Sequence, residues 1–214
     1  PKMASEEKET QKVVLKKSLE ATTMLGTLFA VIIMANTKQF VPFFFGKQFI
    51  PMTPLMFFFA LTIIMIPMGG VFANQFALAN RRDKEYAIPV VIGAIIELVL
   101  AAILDRPYGA AGATVAILIT EFVVLILRLW IVRDDYSFKD AFCDVPKYFL
   151  IGIITLIAGM LMPNLIKSSF LNMAIKSILM LVIYAAIMFM MKLDFNQDMI
   201  EFVTRFSRKI KRQK

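Results

Sequence analysis

Three ionisable residues stand inside otherwise apolar stretches: Glu97, Glu121 and Arg128. An ionised acid at the centre of a membrane helix costs about 2.5–3.5 kcal/mol, so each carboxyl must face protein, water or a cation. Burial favours the neutral form of a carboxyl, so Glu97 and Glu121 can each hold a proton for part of a cycle, the property a proton-coupled transport step requires. The alternative for each is a protonated Glu hydrogen-bonded to a neighbouring helix. Arg128 follows Glu121 by seven residues, ~10 Å along the same helix face, so it either snorkels to the membrane surface or points into a shared aqueous cavity. Lys176 reads as a snorkelling cation. Other chemistries lack their residues. With no His and a single Cys, Cys143, the chain has no histidine-based triad, histidine zinc site, CxxC centre or internal disulfide. Asp134, Asp135, Asp140 and Asp144 form a polar cluster without a nearby His or a DxD pattern, which reads as solvated loop charge rather than a metal site. Gly46-Lys47 is followed by Gln48, with Val41 at the leading glycine position, so it is not a phosphate-binding loop. The chain is not read as an enzyme and implies no cofactor. Transport must draw on an ion gradient, the membrane potential or the substrate's own gradient, unless another chain hydrolyses ATP.

The elements that must position these residues follow from composition. Of 214 residues 59% are apolar, and mean hydropathy is +0.72; an ordinary soluble domain is ~45–50% apolar. Charged residues make up 19% and fall in clumps between long uncharged runs, as a bilayer partitions a chain. The fold class is therefore an all-α, polytopic integral membrane helix bundle with about six spans, near 18–40, 54–79, 86–104, 109–132, 147–163 and 170–192. The fifth is short and ends at Pro163, which suits a tilted or re-entrant helix. Six spans place both termini on one side. Of the 24 Lys and Arg, 19 fall on that side and five, Lys38, Lys47, Arg106, Lys167 and Lys176, on the other. The positive-inside rule makes the side with the termini cytoplasmic, in the cytoplasmic membrane of a cell. The net charge of +8 is thereby explained by topology, and nucleic acid is not a partner.

Residues 1–17 are expected to form a cytoplasmic amphipathic arm, with Ser5 capping a helix whose first turn holds Glu6, Glu7 and Glu9 and whose Val14, Leu15 and Leu19 lead into the first span. Residues 18–132 hold four spans, 133–146 a cytoplasmic loop and 147–192 the last two spans. Residues 193–214 are a basic amphipathic tail in which Met199, Phe202, Val203, Phe206 and Ile210 form one stripe flanked by Arg205, Arg208, Lys209 and Arg212. That is the pattern of a helix lying on an anionic leaflet, which makes membrane lipids a partner. Because Pro1 opens a polar arm, a longer polypeptide is expected to precede it. Pro67, Gly69 and Gly70 predict a kink in the second span and are hinge candidates. Gly109, Gly112, Ala113 and Ala116 place small residues on adjacent turns of the fourth, for close helix packing. The runs Phe43–Phe45 and Phe57–Phe59 suit a lipid-facing or interfacial position.

The stretch from Gly93 to Thr114, GAIIELVLAAILDRPYGAAGAT, resembles the helix, tight turn and helix of polysaccharide (O-antigen type) flippases in the multidrug/oligosaccharidyl-lipid/polysaccharide exporter superfamily. Tyr108, Gly109, Ala110, Gly112 and Ala113 match in register. Pro107 is shifted next to Tyr108, Thr114 replaces a small apolar residue, and Glu97 and Ala101 stand where the family often has Asn. Phe45-Gly46-Lys47-Gln48-Phe49 is similar to the family's Phe-Gly-x-x-Phe, and Asn74–Leu78 with Arg81, Arg82 and Lys84 resembles the cytoplasmic end of the same span. Pro1–Ser5 is similar to the end of the family's eighth helix. The resemblance covers nearly the whole chain as helices nine to fourteen of fourteen. It implies part of a two-lobe alternating-access transporter moving an undecaprenyl-diphosphate-linked oligosaccharide across the cytoplasmic membrane for polysaccharide biosynthesis. It also implies an N-terminal half carrying most of the substrate cavity, a lipid-tail groove beside the last two helices, and polysaccharide polymerase machinery as a further partner. A multidrug-type exporter of the same superfamily and a non-transporting scaffold of a polysaccharide assembly complex are the alternatives.

Overall fold

Long uninterrupted apolar runs leave the backbone nowhere to satisfy its polar groups except within its own helix. The computed structural model, which describes residues 2–133, 142–164 and 166–191 with side chains from residue 10 onward, is correspondingly helical, with no strand among the described residues. Helix α1 (Lys2–Phe44) is followed by a 3₁₀ turn (Lys47–Met52), α2 (Thr53–Phe59), α3 (Thr62–Val71) and a π-helical stretch (Phe72–Leu78). Helices α4 (Asp83–Tyr108), α5 (Ala110–Val132), α6 (Val145–Leu161) and α7 (Ser169–Met190) complete the bundle. Five helical stretches are long and apolar enough to cross a membrane. Helix α6, with 17 residues, reaches ~25 Å, just short of a ~30 Å hydrocarbon core.

Helix α1 is the centre of the bundle. Its Leu15, Leu19 and Ala30 pack with Ile64, Met68 and Phe72 from the second span and with Leu125, Val132 and Val145. Its Leu28 joins Tyr148, Ile151, Tyr184 and Met188 from α6 and α7. Two expectations for the arm change here. The helix is already formed at Lys2 and runs through Ser5 without interruption, so Ser5 is not its cap. Leu15 is buried in the bundle core, so this end of the arm is an extension of the first span and not a separate surface helix.

Polar bonds tie α7 to α1 along its length. Asn172 donates to Gln39 Oε1 at 2.9 Å, Lys176 Nζ to the Ala35 carbonyl at 2.8 Å, and Tyr184 Oη to the Met24 carbonyl at 3.0 Å. Asn36 Nδ2 reaches Ser177 Oγ at 3.2 Å. Rising numbers on α7 meet falling numbers on α1, so the two helices are antiparallel. Gln39 also donates to Asn164, which fixes the α6–α7 connection to the same end. Lys176 thus points inward to a backbone carbonyl instead of snorkelling.

The second span is broken into segments, but not at Pro67. Helix α3 runs across the proline, and the irregularities lie on either side of it, at Ala60–Leu61 and in the π stretch. Thr62 Oγ1 donates to the Phe59 carbonyl at 2.7 Å and satisfies a group the first break exposes. The π stretch ends where Arg81 adopts a positive φ of 55° and the Arg82 amide returns to the Ala77 carbonyl at 2.8 Å. Asn80 donates to Phe76 and Arg82 lies 5.1 Å over the Phe76 ring.

Helices α4 and α5 form a tight hairpin through Gly109, whose φ of +54° is the left-handed conformation that glycine tolerates best. Three residues on, a Cβ at Gly112 would collide with the Leu104 carbonyl oxygen, so the two backbones touch at this point. Gly112→Ala is expected to destabilise the protein by about 1–3 kcal/mol, the usual cost of overpacking a site that cannot yield. Gly70→Ala, whose Cβ would meet only Asn74 Nδ2 at 3.8 Å, is expected to leave the midpoint of thermal unfolding in detergent within a degree or two of wild type.

Candidate functional site

The α4–α5 hairpin packs so closely because its facing positions are small. A Cβ at Gly93 would come within 2.5 Å of Val124 Cγ2, and Ala116 is fully buried. Beyond this contact the helices part, and a groove of about 480 Å³ opens between α4, α5 and Ile66 of α3. Glu97 from α4 and Thr120, Glu121 and Arg128 from α5 line it together. The three ionisable residues singled out in the sequence therefore share one cavity. Glu121 lies within electrostatic reach of both Arg128 and Glu97, and Arg128 within reach of Tyr86 on α4.

Arg128 does not snorkel. Its side chain lies across Gly69 of α3, where a built Cβ would be 2.8 Å from Nη1 and 3.3 Å from Cδ. Its Nε is buried with no hydrogen-bond partner among the described residues. The buried Thr120 hydroxyl faces the same situation. A groove with two carboxyls, one guanidinium and an uncommitted hydroxyl can take up or release a proton or another small cation. No group of three or more His, Cys, Asp or Glu is placed to hold a metal among the described residues.

The other sequence-predicted residues divide. Gly69 joins the groove through Arg128, whereas Pro67 is exposed on α3 and Gly70 meets only Asn74. Gly112 and Ala116 lie in the α4–α5 contact, Ala113 is half-buried beside it, and Gly109 forms the turn with nothing within 4 Å. Arg205, Arg208, Lys209 and Arg212, with most of the 133–146 loop, lie outside the described residues. Three features went unread in the sequence. Thr120 carries no signal except its place beside Glu121, and Gly69 gives no sign that an arginine rests on it. Glu20 is a fully buried acid on α1 with Lys16 Nζ at 3.6 Å, one helical turn earlier, a spacing that sequence does display. A second groove, about 710 Å³, opens between α1, α2 and α7, walled by Phe40, Phe43, Phe44 and Phe170 around Asn36.

Helices of this length and apolarity, wrapped around a groove that holds membrane-depth ionisable groups, define a multi-pass membrane protein. Two known proteins agree with that class. A curated relative, the "Putative O-antigen transporter" of Escherichia coli (strain K12), is 23% identical over 123 residues, covering 58% of this chain and 30% of the relative. A solved structure, "Lipid II flippase MurJ, inward closed conformation", superimposes with a TM-score of 0.67 at 16% identity over 92% of this chain and 41% of that one. The fold is thus a MurJ-like all-α transporter fold, and the chain spans less than half the length of either protein. No family model matches. The resemblance to polysaccharide and lipid-linked flippases that the motifs carry is met again in both comparisons.

Because the Thr120 hydroxyl has no partner among the described residues, Thr120→Val removes an unsatisfied polar group at nearly constant shape, and stability is expected to stay equal or rise by up to about 1 kcal/mol. A loss of transport in that stable variant, read against its unfolding midpoint, would assign the hydroxyl to a bound ion or water.

Proposed function

We propose that the protein is a flippase that moves an undecaprenyl-diphosphate-linked oligosaccharide from the cytoplasmic to the outer leaflet, for polysaccharide biosynthesis. The observation that carries this reading is the likeness of fold to a lipid II flippase over 92% of the chain. The O-antigen transporter relative supports it independently through sequence. In this reading residues 18–132 form four helices of one lobe, 147–192 flank it, and both ends of the segment face the cytoplasm. An N-terminal half supplies the opposite lobe and most contacts to the sugar and diphosphate. The arm 1–17, loop 133–146 and basic tail 193–214 then lie on the cytoplasmic side, with the tail on anionic lipid and the polymerase machinery of polysaccharide assembly as a neighbour.

The energetic role falls to the acidic groove. Glu97 and Glu121 act as the coupling carboxyls, neutralised by a proton or a small cation in one state and exposed in the other, because carrying them charged through hydrocarbon costs too much in both. The segmented second span, with Gly69 and Gly70 between two irregular turns, provides the place where the helix bends as the lobes rock.

Vesicles holding the full-length protein and a fluorescent undecaprenyl-diphosphate oligosaccharide are the test. The probe is expected to cross well above the protein-free rate, with ethidium left behind, and Glu121→Gln and Glu97→Gln are expected to flatten the pH dependence at normal protein level. Ethidium efflux without probe movement would instead identify a multidrug-type exporter. Retained polymer export in cells after replacing Glu97, Glu121 and Pro67 together would identify a scaffold.

A further inference from the structure

Gly69 and Arg128 meet where two differently built parts of the molecule touch. Gly69 is buried on α3, one turn before the π stretch, and Arg128 sits near the end of α5. The guanidinium occupies the volume that a Cβ on Gly69 would need, with Nη1, Cδ and Cζ all within 3.7 Å of it. It reaches that seat at a cost, since its Nε is buried there with no hydrogen-bond partner among the described residues. A long cation would normally extend to the nearby membrane surface, where every donor is hydrated. Here it stays at the groove that Glu121 and Glu97 line.

Resting on the coupling role given to the groove, we propose that Arg128 is a positioning residue for Glu121, seated on Gly69, so that bending of the second span moves the guanidinium relative to the carboxylate. The charged neighbourhood is small. Glu97 and Tyr86 face the pair from α4, and α2, α3 and the π stretch contain no titratable side chain. From α1, whose Leu15 and Leu19 pack with Leu125 and Val132 of α5, Lys16 and the buried Glu20 add one ion pair at 3.6 Å. When the seat is in place, the cation favours the ionised carboxylate. When α3 bends and the seat shifts, the carboxylate loses that support and takes its proton or cation more readily. Gly69 is the contact through which a change of helix shape reaches the acid, and a side chain there displaces the guanidinium.

The experiment is a pH profile of transport by the full-length protein, with unfolding midpoints measured alongside. Arg128→Met is expected to move the profile's midpoint upward by about one pH unit, the scale of one unit charge ~10 Å away at an effective dielectric near 20. Gly69→Ala is expected to produce a smaller upward move by displacing the guanidinium, whose Nη1 a Cβ there would meet at 2.8 Å, whereas Arg128→Lys, which keeps the charge, leaves the midpoint near wild type. The double variant Gly69→Ala/Arg128→Ala relieves the crowding and keeps the test alive where Gly69→Ala alone does not fold. It is expected to match Arg128→Ala, because both substitutions act through one contact. An unmoved midpoint in folded Gly69→Ala, or a further shift in the double variant beyond Arg128→Ala, overturns the proposal while leaving the groove's coupling role intact. An unchanged pH dependence in Glu121→Gln overturns both.

Discussion

The structure depends on what happens to one carbonyl. Pro67 has no amide hydrogen, so the carbonyl of Ile63, four residues earlier, loses its helical partner in a segment that lies in hydrocarbon. Gly26 of α1 faces this group: a Cβ on it would sit 3.0 Å from the Ile63 oxygen and 3.4 Å from the Ile64 Cα. The backbones of α1 and α3 therefore touch, and a side chain at Gly26 would press on that carbonyl. With α1 held against the second span, its opposite side collects the other helices. Gly152 of α6 is packed against the Thr27 methyl, Gly159 against Met180, and α7 hydrogen-bonds α1 at several points.

The α4–α5 hairpin is attached by other means. It packs on α3, α2 and the π stretch, and its internal contact is a match of small against branched residues, Gly93 with Val124 and Gly112 with the Leu104 backbone. Much of α4 faces outward with Ile88, Val91, Ile95 and Leu98 exposed, a surface suited to lipid or to another helix. The ionisable residues lie on the inner side, where the hairpin and α3 diverge. Charge, cavity and backbone irregularity meet there because a polar group in hydrocarbon is tolerable only where packing is incomplete or a partner is close.

Much of this arrangement was legible in the sequence. Apolar run lengths located the helices from the second span onward to within several residues, since in lipid hydrophobicity and length decide the element almost alone, whereas α1 starts well before the expected residue 18. Glu97, Glu121 and Arg128 stood out by cost, and the structure gathers them in one groove. What sequence did not disclose was pairing across helices. Nothing local in Gly69 announces an arginine from a helix 59 residues later, and Lys176 looked free to snorkel because the Ala35 carbonyl that holds it is distant in sequence. Pro67, Gly69 and Gly70 mark α3 as a place to bend, and α3 runs across them as one helix. The irregular turns at Ala60–Leu61 and Phe72–Leu78 carry little compositional warning. Ser5 failed as a cap because capping propensity is a local preference, and a long helix continued by packing at Leu15 and Leu19 overrides it.

The two modes of attachment have different mechanical consequences. Hydrogen bonds donated by Asn172, Lys176 and Tyr184, and the one Ser177 accepts from Asn36, fix α7 to α1 in rotation as well as position, because each has a directional partner at a set height. The hairpin meets α3 through apolar side chains, Ile64 and Met68 with Leu125, a contact that fixes separation but resists sliding only weakly, as packed helices shear by small steps without losing contact area. Under load, the α1–α6–α7 part should then move as one body, and the hairpin should shift against α3. The groove lies on that sliding boundary, and the guanidinium resting on Gly69 spans it. A shift of an ångström or two there changes the distances among Arg128, Glu121 and Glu97 by a comparable amount, where electrostatic energy is most sensitive to separation. The same shift leaves the α1–α7 polar bonds unstretched.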